Sequence, residues 1–132
     1  MRKPSRRFNE RAARAAAAWM TEVINIEDWS VDFTFQDDPP PWADADKPEV
    51  VGCCRTSRRK KDASVWVSPR RCEDTDTPWL RAILHEMWHI AMADLGIEGP
   101  EVEAFMPAYE SLWDRLDGVV MAAYLSGYEP ED

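Results

Sequence analysis

Histidine is nearly absent from this chain, which holds two in 132 residues. Cysteine is scarce too: there are three, an odd number, and two of them, Cys53 and Cys54, are sequence neighbours that cannot readily bridge to each other. A disulfide framework is excluded on that count, and a reduced, cytoplasmic protein is the expectation. No apolar run is long enough to span a bilayer. The basic first residues lead into an alanine-rich stretch, Ala12 to Ala18, that Arg14 interrupts and that lacks the strongly apolar centre of a secretory signal. Internal repeats and low-complexity tracts are also missing, so the length implies one domain with a real core.

Positive charge is the other deficit. Sixteen Lys and Arg stand against twenty-five Asp and Glu, a formal net charge of −9, which argues against general nucleic-acid binding. The bases that exist are clustered, in the first fourteen residues, in Arg55 to Lys61, and at Arg70 and Arg71. Arg58-Arg59-Lys60-Lys61 lies between two apolar segments, which favours a solvated hairpin turn over a phosphate-binding or acidic-partner site.

Against that background, both histidines fall inside one pentapeptide, His85-Glu86-Met87-Trp88-His89. On a helix, positions i and i+4 share a face with Cβ atoms roughly 5 to 6 Å apart, so both imidazoles can reach one metal ion. Glu86 sits about 100° further round, placed to touch a metal-bound water. Short motifs arise by chance, and a histidine pair can be an ordinary buried pair. The flanking signals favour the metal: Thr77 as N-cap, Pro78 as first helical residue and Gly96 as C-cap glycine delimit a helix near Pro78 to Leu95. Leu80, Ile83, Leu84, Met87, Ile90, Ala91 and Leu95 make that helix apolar almost all round, hence central and buried. Buried histidines and a glutamate need partners, and a metal satisfies them.

Around this helix the pattern predicts an α+β fold. A first helix runs from Ser5 as cap to about Val23, with Phe8, Ala12, Ala15, Ala16, Trp19, Met20 and Val23 inward. Trp29, Val31, Phe33 and Phe35 alternate with polar residues as a strand, Asp37 to Lys47 is a proline-rich loop, and Glu49 to Thr56 and Ala63 to Ser68 form a hairpin leading into the motif helix. Past Gly96, apolar residues from Val102 to Leu116 recur on one face of a C-terminal helix that continues or restarts near Gly118 and ends at about Leu125. Trp19, Trp29, Trp66, Trp88 and Trp113 fit core or core-rim positions in these periods.

This order of elements, the pentapeptide, Val65-Trp66-Val67-Ser68-Pro69 and Glu101-Val102-Glu103 together resemble a minimal zincin-type metallopeptidase domain, of the small stand-alone kind found in bacteriophage and bacterial genomes. The resemblance covers about half the chain, and only the pentapeptide is specific. It implies Zn2+ as cofactor, His85 and His89 as ligands, Glu86 as the general base, and a peptide or protein substrate laid in extended form along an edge strand, expected at Ala63 to Ser68.

A catalytic zinc usually takes a third protein ligand. Leu95 stands where a metzincin has its third histidine, which excludes that subclass, and Asp94 turns to the far side of the helix. Glu103 is the preferred ligand, because it borders the inward face of the next helix and Pro107 leaves its carbonyl without the usual donor. Its bland alternative is a first-turn glutamate favoured by the helix dipole. Glu110 comes second and Glu101 third. Peptide deformylases also carry H-E-x-x-H with a glycine-cysteine ligand, and Gly52-Cys53-Cys54 is superficially similar; that family's other glycine-rich motif is missing, and strand cysteines are often small apolar residues. A non-catalytic zinc-binding interaction domain is the remaining alternative. Tyr109, Tyr124 and Tyr128 fit an oxyanion-stabilising role and a core-rim role equally well.

Overall fold

The structure, a computed structural model, describes residues 7–97 and 110–126. Four helices and one three-stranded mixed sheet form an α+β fold in the order α1 (Glu10–Val23), β1 (Ser30–Phe35), β2 (Gly52–Ser57), β3 (Asp62–Val67), α2 (Pro69–Asp74), α3 (Trp79–Asp94) and α4 (Glu110–Ser126). No helix among the described residues is long and apolar enough to cross a membrane.

The expected start of the first helix at Ser5 lies outside the described residues, and the cap is Asn9, whose side chain accepts from the Ala12 N–H at 2.9 Å. Its inward face is narrower than its apolar pattern. Ala13, Ala16, Ala17 and Met20 are buried, whereas Ala15 and Val23 are exposed. Three alanines at the contact let α1 pack closely against α3.

Strand order is β1-β3-β2, with β1 parallel to β3 and β2 antiparallel to it. This overturns the expectation that Ala63 to Ser68 is an edge. Val65 and Val67 are buried against β1 on one side and β2 on the other, so no further strand can be added to β3. Parallel pairing brings Phe33 beside Val65 and Phe35 beside Val67, and this apolar face covers α3. The basic segment Arg58 to Lys61 is the hairpin turn, closed by Lys61 in a left-handed conformation at φ 51° and by its pairing with Asp28.

The hairpin does not lead straight into the motif helix. Ser68 accepts from the Arg71 N–H and Pro69 supplies a fixed φ, so a short helix, α2, forms first. Thr77 is therefore spent on a hydroxyl contact with Thr75 at 2.7 Å, and α3 starts at Trp79 behind Pro78 without a side-chain cap. The C-terminal expectation holds. Gly96 adopts φ 87°, its N–H reaches the Ala93 carbonyl and the Ile97 N–H reaches that of Met92, the paired bonds of a Schellman ending.

The outer face of the sheet is covered by the loop before β2, and Arg71 holds that loop down. Its Nη1 shares its hydrogens among the carbonyls of Ala45, Lys47 and Val50 at 3.0, 3.3 and 3.1 Å, while the guanidinium lies over the fully buried Trp66 ring. The Lys47 carbonyl also accepts from the Val50 N–H, so removing Arg71 takes the side-chain donor from the Ala45 and Val50 carbonyls, which a lysine ammonium cannot span in the same plane. Arg71→Ala is expected to lower the unfolding free energy by about 2 kcal/mol in chemical denaturation, with Arg71→Lys recovering only part; wild-type stability in either variant would show the loop to be held by other contacts.

Candidate metal centre

α3 buries ten of its sixteen residues, and Glu86 is among them. Its side chain is the buried carboxylate of the motif, 5% exposed, and it makes no hydrogen bond among the described residues. Burial alone pushes its pKa up to about 8. The His85 and His89 rings stand at 5.3 Å centroid separation, and one donor atom from each of His85, Glu86 and His89 can be chosen so that all lie within 4.8 Å of one another. The i, i+4 geometry of the helix does this.

The two imidazoles are tuned toward the neutral, ligating form. Desolvation lowers the pKa of His89 to about 4, with His85 adding a like-charge contribution. His85 keeps an edge open to solvent, and desolvation still lowers its pKa, partly offset by the charge of Asp117. Two neutral nitrogens beside an unpartnered carboxylate fit a divalent cation, because neutral imidazole is the ligating form and the cation supplies the charge that a buried carboxylate lacks.

β2 lies directly over this group, and Gly52 makes that possible. A Cβ there would come within 2.8 Å of the Trp66 carbonyl oxygen, 3.2 Å of Glu86 Cγ and 3.3 Å of Glu86 Oε2. Nothing in the local sequence pattern flagged Gly52 in this role. Its signal was available as a glycine inside a strand, which often marks close approach of another group.

The expected third ligand, Glu103, lies outside the described residues, as do Glu101, Tyr109 and Tyr128. Glu110 is the first residue of α4. Tyr124 is buried and packs on Trp19 at 5.2 Å, which makes it a core residue. Asp94 accepts from Trp29 Nε1 at 2.9 Å, away from the histidines, as helical geometry predicted. Cys53 and Cys54 do not join the cluster: the Cys53 thiol donates to the Asp44 carbonyl at 3.5 Å, and Cys54 packs on the core. Burial, reinforced by the Glu86 charge, raises both thiol pKa values, that of Cys53 to about 11.

One charged neighbour of the group escaped the sequence analysis. Asp117 of α4 is buried, accepts from Trp88 Nε1 at 2.6 Å and lies 3.9 Å from Arg81, while Asp114 pairs with the same arginine at 2.7 Å. Its position was readable, since Trp113, Val120 and Tyr124 place residue 117 on the inward side of the helix.

No family model matches the chain, and no curated protein or solved structure is significantly similar to it.

Two outcomes follow from this geometry. Because the metal-free Glu86 carboxyl titrates at about 8 while His89 titrates at about 4, a cation binding at pH 7 meets neutral imidazoles and displaces a proton from Glu86. Titration calorimetry in buffers of different ionisation enthalpy should show about one proton released at pH 7, fading above pH 8, and none in Glu86→Gln; release that instead fades near pH 6.5 would assign the proton to a histidine. Gly52→Ala should cost about 1 to 3 kcal/mol of stability and weaken metal retention, because either the strand or Glu86 must move. An unchanged melting temperature with unchanged metal content would contradict the close approach.

Proposed function

We propose that this chain is a zinc-dependent peptidase in which His85 and His89 hold the metal and Glu86 acts as general base. The observation that carries the proposal is Glu86: a buried carboxyl group without a hydrogen bond among the described residues, grouped with two half-open imidazoles whose pKa values desolvation lowers. A purely structural zinc site has no use for such a group, whereas hydrolysis does.

Zinc bound there supplies Lewis acidity, polarising a substrate carbonyl and acidifying a water molecule. Glu86 takes a proton from the water that attacks the carbonyl carbon, the same proton passes to the nitrogen as the C–N bond breaks, and the remaining hydroxyl proton of the new carboxyl group then goes to the amine, leaving a carboxylate and an ammonium. Glu103 completes the ligand set in this proposal, with Glu110 and then Glu101 next in order.

The substrate lies along β2. Ser68 N–H donates to the Val51 carbonyl, which fixes the phase of the antiparallel ladder, so Gly52 and Cys54 aim their N–H and C=O groups at the outer edge. No strand pairs with that edge among the described residues. An extended peptide added there puts its backbone beside Glu86, since Gly52 is the residue in contact with it.

Purified protein reconstituted with zinc should hold about one ion per chain, lost in the His85→Ala and His89→Ala double variant. Glu86→Gln should keep the metal while peptide hydrolysis falls by roughly a hundredfold or more. Cobalt in place of zinc should give a spectrum without thiolate charge-transfer bands, and Cys53→Ser and Cys54→Ser should leave it unchanged. Equal metal content in the double histidine variant would remove the basis of the proposal.

A further inference from the structure

We infer that the peptides this site takes are acidic, and that their acidic side chains dock on Arg55, Arg58 and Arg59 at the far end of the β2 edge. The inference rests on the peptidase proposal above and adds the substrate class to it.

β2 begins at the site and ends at the basic turn. Gly52 touches Glu86, and six residues further on the Arg58 guanidinium lies beside Gly96, at the C-terminal end of α3, where an added Cβ would be 3.5 Å from its Nη1. At about 3.3 Å per residue that path is about 20 Å long. A peptide paired along the edge advances at the same rate, so residues about five to seven positions from the reacting bond arrive at the turn.

Among the described residues, no carboxylate pairs with the arginines at that end. Arg55, Arg58, Arg59 and Lys60 are all exposed and join no ion pair among the described residues, whereas Arg14, Lys61, Arg70 and Arg81 each face a carboxylate. Arg58 and Arg59, with Thr56 and Ser57, line an open cleft of about 670 Å³. Arg55 is held on the opposite face of the strand by the Trp42 ring, 5.0 Å from its guanidinium carbon. Side chains of an added strand point alternately to the two faces. One guanidinium waits on each, so an acidic residue of either parity finds a partner.

The chain as a whole carries −9, which repels an acidic ligand at long range. At physiological ionic strength the screening length is about 8 Å, shorter than the path from the site to the turn, so the carboxylates farther off are screened, while those at the turn, Asp28 and Asp94, face Lys61. Recognition of this kind acts mainly on encounter and weakens with salt.

The test is cleavage of a proteome-derived peptide library by the zinc-loaded protein, with the cut sites read by mass spectrometry. Asp and Glu should be enriched about five to seven positions from the cut on one side, the preference should shrink in 0.5 M NaCl, and it should invert toward Lys and Arg in the Arg58→Glu, Arg59→Glu double variant. Cutting without a preference at that offset, or a preference that charge reversal leaves in place, overturns the inference and leaves the peptidase proposal standing. If no peptide is cut, the peptidase proposal fails and binding decides the inference alone: with the Glu86→Gln protein, a labelled twelve-residue peptide bearing four glutamates should bind roughly tenfold tighter than its glutamine counterpart at low salt. Equal binding of the two peptides would sink it.

Discussion

A buried carboxyl group that makes no hydrogen bond among the described residues, and that has the His89 ring nitrogen at 4.0 Å, is the constraint on which the rest of this structure turns. Leaving an ionised carboxylate in that state is prohibitive, so in the metal-free chain Glu86 yields its charge and titrates near 8. The surroundings maintain the cost where they could have relieved it. Gly52 packs against the Glu86 side chain from above, and the neighbouring cysteines offer a thiol bond to Asp44 and an apolar wall. Among the described residues, His85 and His89 lie on the side left for compensation, which makes the three side chains one electrostatic unit.

The placement of α4 follows from a second buried carboxylate on the other side of α3. Asp117 joins the Trp88 indole and lies near the Arg81 guanidinium, so both its oxygens are engaged, and its charge is felt at His85. Met121 and Leu125 share a cleft with Trp79 and Leu80, so α4 runs back toward the start of α3 and Glu110, its first residue, lies at the end remote from Trp79. α3 is thus pinned between β2 on one face and α4 on another, and the rotation of the histidines about the helix axis is fixed by contacts that are not themselves ligands.

What the sequence made legible was local. The motif helix could be placed within a residue at each end, because its apolar period, Pro78 and Gly96 are properties of a single contiguous stretch. The hairpin and its basic turn were readable for the same reason. Strand order was not: alternation in β1 and β3 shows that each has a buried face and says nothing about which strand lies between two others, and the parallel pairing of β1 with β3 joins segments about thirty residues apart. The short helix α2 went unseen because six residues carry too little periodicity, although Ser68-Pro69 held its cap. Glu86 and both histidines were legible as a group on one helix by spacing alone, while for Gly52 and Asp117 the sequence offers a strand glycine and an inward helix position but not the contacts with Glu86 and Trp88, which lie far from them in the chain.

The corrected strand order changes the chemistry more than it changes the fold. With β3 as the edge, a bound peptide would run beside Trp66 and end near the start of α2, among groups already committed to the loop clamp of Arg71. With β2 as the edge, the same peptide would start at Gly52, over the buried Glu86, and leave past a row of cations that no described carboxylate pairs. An overall acidic protein keeps four adjacent bases on one turn, and among the described residues the last of them alone pairs with carboxylates, at the end of a strand whose outer edge no described strand covers. In the proposed peptidase, substrate selection and the base would therefore be linked through β2, the strand whose glycine admits Glu86 at one end and whose turn carries the arginines at the other.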